Sequence, residues 1–243
     1  MYLGNLLKSV SKNYQKITVN GISFDSRNVK KKDIFFAIKG KKTSGSKFIN
    51  NAINNGAVAI ICNKKKLYNK KKVPFIYVKD VKESLSEACN NFFKDKPKNI
   101  IAVTGTNGKS SVADFFYQLL TLNKVPSSSI GTLGIRSKRH NINTKLTSLD
   151  PVSLHKNLKI LKKNRVNNVI LEASSHGLDQ KRLDNLNINI GIFTNLSHDH
   201  LDYHKNMNSY FKSKMHLFKN LLHKNSIIIT DEKNNEFKNI KKM

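Results

Sequence analysis

The segment Asn99-Ile100-Ile101-Ala102-Val103-Thr104-Gly105-Thr106-Asn107-Gly108-Lys109-Ser110-Ser111 constrains the chain more than any other. The apolar run Ile100 to Val103 has the length and β-branched content of a buried parallel strand. Two glycines follow within the next five residues. Val112, Phe115, Phe116, Leu119 and Leu120 then recur at helical spacing and predict an inward face. Strand, glycine-containing turn and helix, in that order, build an anion site. Free backbone N–H groups and the positive end of the helix dipole meet there. Lys109 can reach terminal phosphates, and the Ser110 hydroxyl can ligate Mg²⁺. The general phosphate-loop motif needs a glycine where Val103 stands, so this is a shorter loop, Thr104 to Ser110. The flanking strand and helix favour phosphate binding over an ordinary turn with a surface lysine.

With 243 residues the chain can form one large or two ordinary domains. Lys+Arg 44 against Asp+Glu 16 gives a formal charge of +28. Such an excess raises nucleic acid as a partner. The lysines, however, fall in short loop-like clusters, Lys30–Lys32, Lys64–Lys66 and Lys70–Lys72, without interleaved aromatics for base stacking. Solvated faces are the better reading, and nucleic acid is not expected as a partner. Cys62 and Cys89 are isolated and read as buried small hydrophobes. Met1 to Ser11 lacks an apolar signal region, and no apolar run approaches membrane-spanning length. The expectation is a soluble, cytoplasmic protein with no membrane partner.

Residues 1–97 are expected to form a small α/β domain and residues 98–243 a parallel-sheet domain of phosphate-loop type. In the first, strands are predicted over Ile17–Phe24, Asp33–Ile38, Val58–Ile61 and Phe75–Val78, with a lysine-rich loop between the last two. Phe48, Ile49, Ala52 and Ile53 share one helical face, and Leu85, Ala88, Cys89, Phe92 and Phe93 share another. Ser26 and Arg27 follow the first strand. Such groups can bind a diphosphate or a uracil edge, but a capped turn with a surface ion pair suits these residues better.

In the second domain, strands are predicted at Ile100–Val103, Val169–Leu171, Ile190–Phe193 and Ile227–Ile229. Asp150-Pro151 reads as the N-cap and first residue of a helix carrying Leu154, Leu158 and Leu161 inward. Ligands of such sheets bind at the carboxyl ends of the strands. There the sequence places Glu172-Ala173-Ser174-Ser175-His176-Gly177 and Thr194-Asn195-Leu196-Ser197-His198-Asp199-His200-Leu201-Asp202. Glu172 suits Mg²⁺, and Asp199, His200 and Asp202 can add ligands or base contacts. A helix predicted over Met207–Leu222 turns Met207, Tyr210, Phe211, Lys214, Phe218 and Leu221 inward. Lys214 interrupts this apolar stripe, and from the residues alone its stem is expected to snorkel to water.

Taken together, Asp25-Ser26-Arg27, Phe35 to Gly40, Thr104 to Ser111, Glu172 to Leu178, Thr194 to Ser197 and Asp199 to His204 resemble the Mur ligase family, the ATP-dependent amide ligases of peptidoglycan assembly. The likeness is strongest to the branch that adds the third amino acid to UDP-N-acetylmuramoyl-L-alanyl-D-glutamate. The resemblance implies the partners: ATP, Mg²⁺, the UDP-N-acetylmuramoyl-dipeptide and an amino acid, diaminopimelate or lysine. By resemblance, Gly105, Thr106, Asn107, Gly108, Lys109, Ser110 and Ser111 hold ATP phosphates and Asn195 approaches the adenine. Ser110, Glu172 and His200 hold Mg²⁺. Ser26, Lys41, Lys42 and Thr43 meet the UDP end, and Thr147, Ser148, Ser174, Gln180 and Arg182 the muramoyl-dipeptide. Lys214 matches a lysine that the family carbamylates, which would let it ligand a second Mg²⁺. Lys109, Glu172 and Lys214 are the residues implied for catalysis. The family's Thr-Thr-Pro-Asp/Glu stretch reads Thr147-Ser148-Leu149-Asp150 here. Its members have three domains, so the chain is expected to be truncated, without the C-terminal domain that recognises the amino acid. A folylpolyglutamate-type ligase would share the ATP loop, but Asp25-Ser26-Arg27 and Ser174-Ser175-His176 argue against it. A basic nucleic-acid-binding module would rest on the charge alone.

Overall fold

The computed structural model describes residues 1–40, 43–64 and 73–241, which fall into two compact units, Met1–Lys94 and Asp95–Met243. Most of the loop expected between Lys64 and Lys72 lies outside the described residues, as do Lys41 and Lys42.

The first unit is a parallel four-stranded sheet in the order β1 (Gly21–Ser23), β2 (Asp33–Phe36), β3 (Ala59–Cys62), β4 (Phe75–Tyr77). Helix α1 (Ile49–Asn54) packs Ile49, Ala52 and Ile53 against Phe35 and Ile60. Helix α2 (Val81–Phe92) starts at Asp80, whose carboxylate accepts from the Lys82 and Glu83 amides. The strand expected over Ile17–Phe24 keeps only β1. Thr18 instead bridges antiparallel to Tyr2, and the Val19 amide donates to the Met1 carbonyl, so contacts with the first two residues take Thr18 and Val19 out of the sheet.

The second unit holds a six-stranded sheet whose strands, in chain order, are β5 (Asn99–Thr104), β6 (Ser127–Gly131), β7 (Gly134–Ser137), β8 (Asn168–Glu172), β9 (Ile188–Phe193) and β10 (Leu222–Thr230). Their spatial order is β10-β9-β5-β8-β6-β7, all parallel except the β6–β7 hairpin. The hairpin is absent from the sequence reading. Its first strand, Ser127-Ser128-Ser129-Ile130-Gly131, carries no apolar run, although every residue of it is buried. Between strands come α3 (Lys109–Leu122), α4 (Pro151–Lys163), α5 (Ser175–Asp179), α6 (Leu201–His204) and α7 (Met207–His216), and α8 (Phe237–Lys241) follows β10. The helix expected to run to Leu222 stops at His216, passes through a π turn, Leu217–Leu221, and enters β10.

The main core packs Leu154, Leu158 and Leu161 of α4 with Leu171, Phe193, Leu217 and Phe218 on one sheet face. On the other face α3 lies over β6, β8 and β5 and buries Ala113 with Val112 and Phe116 against Val103 and Ile170. Phe115 and Leu119, expected inward, are 61% and 60% exposed, and Ile227 and Ile229 of β10 are 57% and 49% exposed. The apolar stripe of α3 is wider than the strands beneath it, and its outer flank has no neighbouring layer among the described residues. No helix among those residues is long and apolar enough to cross a membrane.

His155 of α4 is fully buried, and neither ring nitrogen has a hydrogen-bonding partner. Burial, helped by the nearby Lys96 charge, pushes its pKa down to about 3. The native state therefore stays unprotonated while the unfolded chain binds a proton below about pH 6.5. This residue's share of stability is full above that pH and falls by roughly 1.4 kcal/mol per pH unit on acidification towards 3. Chemical denaturation at pH 7 and pH 5 should show His155→Leu losing about 2 kcal/mol less stability over this interval than the parent. Equal losses would exclude a buried neutral imidazole.

Candidate active site

The site lies where β5, β8 and β9 end, as expected of a parallel sheet. β5 runs into a loop in which Gly105 has φ +147° and Gly108, with φ +82°, caps α3. A side chain at Gly105 would overlap the Thr194 hydroxyl at the end of β9, so only glycine lets the two segments approach. The loop is pinned on that side. Asn195 Oδ1 accepts from the Asn107 amide at 3.0 Å, and the Thr106 amide donates to the Asn195 carbonyl at 2.9 Å. Asn195 is thus a clamp on the loop backbone.

Two lysines converge on one carbonyl. Lys109 Nζ donates to the Gly105 and Thr106 carbonyls at 3.0 and 2.7 Å, and Lys214 Nζ, from α7, donates to the same Gly105 carbonyl at 2.6 Å. Lys214 is 1% exposed, so it does not snorkel. Its ammonium stands 4.3 Å from the centroid of the Tyr210 ring. Burial, and after it the Lys109 charge, brings the Lys214 pKa down to about 7. Burial also lowers that of Lys109, with Glu172 and Asp199 opposing. An anion entering the loop would relieve the repulsion between the two ammoniums.

Glu172, at the end of β8, is 2% exposed and fully engaged. Its Oε2 accepts from Ser110 Oγ at 2.8 Å and Thr132 Oγ1 at 3.1 Å, and its Oε1 accepts from the Thr132 amide at 2.9 Å. A Cβ on Gly131 would collide with the carboxylate, so the β6–β7 turn can seat Glu172 only with glycine there. Among the described residues no group of three or more His, Cys, Asp or Glu could hold a metal. The adjoining Ser110 and Glu172 oxygens nonetheless suit a hard cation such as Mg²⁺, which draws its remaining ligands from phosphate and water. The His200 ring lines the same cavity, and its Nε2 lies 3.4 Å from Asp199 Oδ2.

A cavity of about 260 Å³ joins these groups to Thr132, Thr147 and Ser174. Ser148 Oγ bridges the Glu172 carbonyl at 2.8 Å and Ser174 Oγ at 2.9 Å. Arg182 donates to the Ser148 carbonyl at 2.6 Å and to Gln180 Oε1 at 2.7 Å, so these expected substrate residues form one connected cluster. In the other unit, Arg27 forks onto Asp25, which also caps the turn by accepting from the Arg27 amide. That is the capped turn with a surface ion pair. Ser26 is buried beside it and Thr43 is exposed. Thr132 and Tyr210 were missed as site residues by the sequence reading. Tyr210 carried a signal, since it precedes Lys214 by one helical turn on the same stripe. Thr132 carried none.

The chain matches two family descriptions: the Mur ligase middle domain over residues 103–243, and the Mur ligase family catalytic domain over residues 18–93. It is 44% identical over 232 residues to the UDP-N-acetylmuramoyl-L-alanyl-D-glutamate--2,6-diaminopimelate ligase of Rickettsia montanensis, covering 94% of this chain and 48% of that protein. The enzyme of the same name from Bradyrhizobium diazoefficiens is 43% identical over 206 residues, with 85% and 42% covered. The chain thus spans about half the length of the curated relatives it matches. A solved ligase structure of that name superposes with a TM-score of 0.81 at 29% identity, over 96% of this chain and 47% of the other. The MurF ligase of Thermotoga maritima in complex with ADP shares the fold, with a TM-score of 0.58 at 22% identity over 92% of this chain and 48% of that one. The family matches, the identity along nearly the whole chain and the superposition agree: the chain belongs to the Mur ligase family.

Proposed function

We propose that the protein takes part in ATP-dependent amide-bond formation, joining a third amino acid, diaminopimelate, to UDP-N-acetylmuramoyl-L-alanyl-D-glutamate. The reading is supported by identity to relatives of that name, and above all by Lys109 and Lys214 converging on the loop beside Ser110 and Glu172. In the reaction the γ-phosphoryl group of ATP passes to the substrate's side-chain carboxylate, giving an acyl phosphate and ADP. The amine then displaces phosphate and gives up a proton, leaving an amide. The need for ATP favours the cytoplasm as the site of the reaction.

Residues take their roles from this chemistry. The backbone from Gly105 to Ser111 cradles phosphate, and Lys109 neutralises it as charge develops. Asn195 holds the loop and lies towards the adenine. Ser110, Glu172 and His200 would hold Mg²⁺, which supplies charge neutralisation at the phosphates when bound. Thr147, Ser148, Ser174, Gln180 and Arg182 position the muramoyl-dipeptide. The Met1–Lys94 unit receives its UDP end through Ser26, Lys41, Lys42 and Thr43. A lysine with a pKa near 7 is partly the free amine at neutral pH, the form that attacks CO₂. Lys214 would thereby lose a proton and become an anionic carbamate, converting a repulsive neighbour of Lys109 into an attractive one.

Lys109→Ala should weaken Mg-ATP binding by on the order of 2–5 kcal/mol in calorimetry while the fold survives. Unchanged affinity would refute the phosphate-loop assignment. In ¹³C-bicarbonate, a carbamate NMR signal should appear in the parent and vanish in Lys214→Ala. In the whole protein that variant should lose activity and recover part of it with added short-chain carboxylates. Full activity without rescue would remove Lys214 from the mechanism.

A further inference from the structure

Tyr210 is 1% exposed and touches the site in two ways. Its hydroxyl lies 3.1 Å from Thr106 Oγ1 in the phosphate loop. Its ring lies beneath the Lys214 ammonium, 4.3 Å from Nζ to centroid and one helical turn away along α7. Either hydroxyl can donate in the first contact, and the bonds to Ser197 bear on which one does. Thr106 Oγ1 accepts from the Ser197 amide at 3.0 Å and can donate to the Ser197 carbonyl at 3.3 Å. A threonine hydroxyl has one proton and two acceptor lone pairs, so with that proton on Ser197 the tyrosine must donate. The Thr106 hydroxyl is then fully satisfied, tied to the segment after β9 and to α7 at once.

The ring does separate work. It walls one side of Nζ and offers its negative face to the cation. The Lys214 stem is thereby directed at the Gly105 carbonyl. Gly105 and Thr106 are adjacent, so Tyr210 reaches the loop directly through its hydroxyl and indirectly through Lys214.

We propose that Tyr210 is a positioning residue that holds the phosphate loop and Lys214 in one geometry, the hydroxyl serving the loop and the ring serving the lysine. Its consequence for nucleotide binding rests on the function proposed above, whereas the coupling itself is visible without ligand.

The test compares the parent with Tyr210→Phe and Tyr210→Leu in the intact chain. Hydrogen exchange reports the Thr106, Asn107 and Ser197 amides. The Lys214 Cε and Nζ shifts in ¹³C,¹⁵N-labelled protein, followed by NMR at one pH, report the lysine's surroundings. Tyr210→Phe should raise exchange at those amides about tenfold and leave the Lys214 shifts where they are in the parent. Tyr210→Leu should move both. Should the leucine variant not fold, Thr106→Val provides the same hydroxyl loss from the other side. It should raise exchange at least as much, because it also removes the acceptor of the Ser197 amide, and adding Tyr210→Phe to it should raise exchange no further. General destabilisation would shift exchange throughout the second unit and would not separate the hydroxyl from the ring. Parent-like loop exchange in Tyr210→Phe, or Lys214 shifts that move equally in both variants, would overturn the proposal. Mg-ATP calorimetry on the same samples keeps the two readings apart. If the parent binds no nucleotide while exchange changes as expected, the coupling stands and the phosphate-loop function falls.

Discussion

The second unit is arranged around the backbone of Gly105. Its positive φ and missing side chain let the loop after β5 lie against the end of β9, and its carbonyl then becomes the common acceptor of two lysines. Each consequence follows from the one before. The close approach lets Asn195 bracket Asn107 and lets Ser197 reach Thr106. Those bonds fix the loop at the head of α3, where Thr106 to Ser111 line the cavity. The same carbonyl gives α7, distant in sequence, a reason to bury a lysine.

That burial is costly by itself. Burial and the neighbouring Lys109 charge both disfavour the Lys214 ammonium, and Asp199 opposes them only in part. Such a site is electrostatically incomplete. Anions are the natural complement, whether brought by a nucleotide or formed on Lys214 itself. The formal +28 of the chain is therefore less informative than the position of two of its cations.

The strand, turn and helix around Gly105 were legible because β-branched runs and glycine spacing are local properties. So was the placement of Glu172 and Asn195 at strand ends, which follows from parallel topology. What escaped the reading depends on what lies across from a residue. The stripe on α3 groups Phe115 with Phe116, but spacing cannot say that only one of them has a sheet to meet. The serines of β6 are buried by their neighbours, not by their own apolarity. Lys214 looked anomalous in sequence, yet its burial depends on a carbonyl over a hundred positions earlier. Thr132 gains meaning only once the β6–β7 turn brings it to Glu172.

Lys109 folds back onto the carbonyls of its own loop. On the proposed function it acts as a tethered competitor: loop carbonyls hold two of the ammonium's three donors before any phosphate arrives, and a phosphate that takes those two must draw the lysine away from them. Resting and loaded loops can then differ by a single side-chain rotation with little movement of the backbone. Such an exchange taxes affinity slightly, because bonds already made are surrendered, and in return it guards the cradle against collapse. Selectivity follows from the same feature. A ligand too weakly charged to displace the ammonium gains nothing from the loop, whereas a polyphosphate outbids the carbonyls at once.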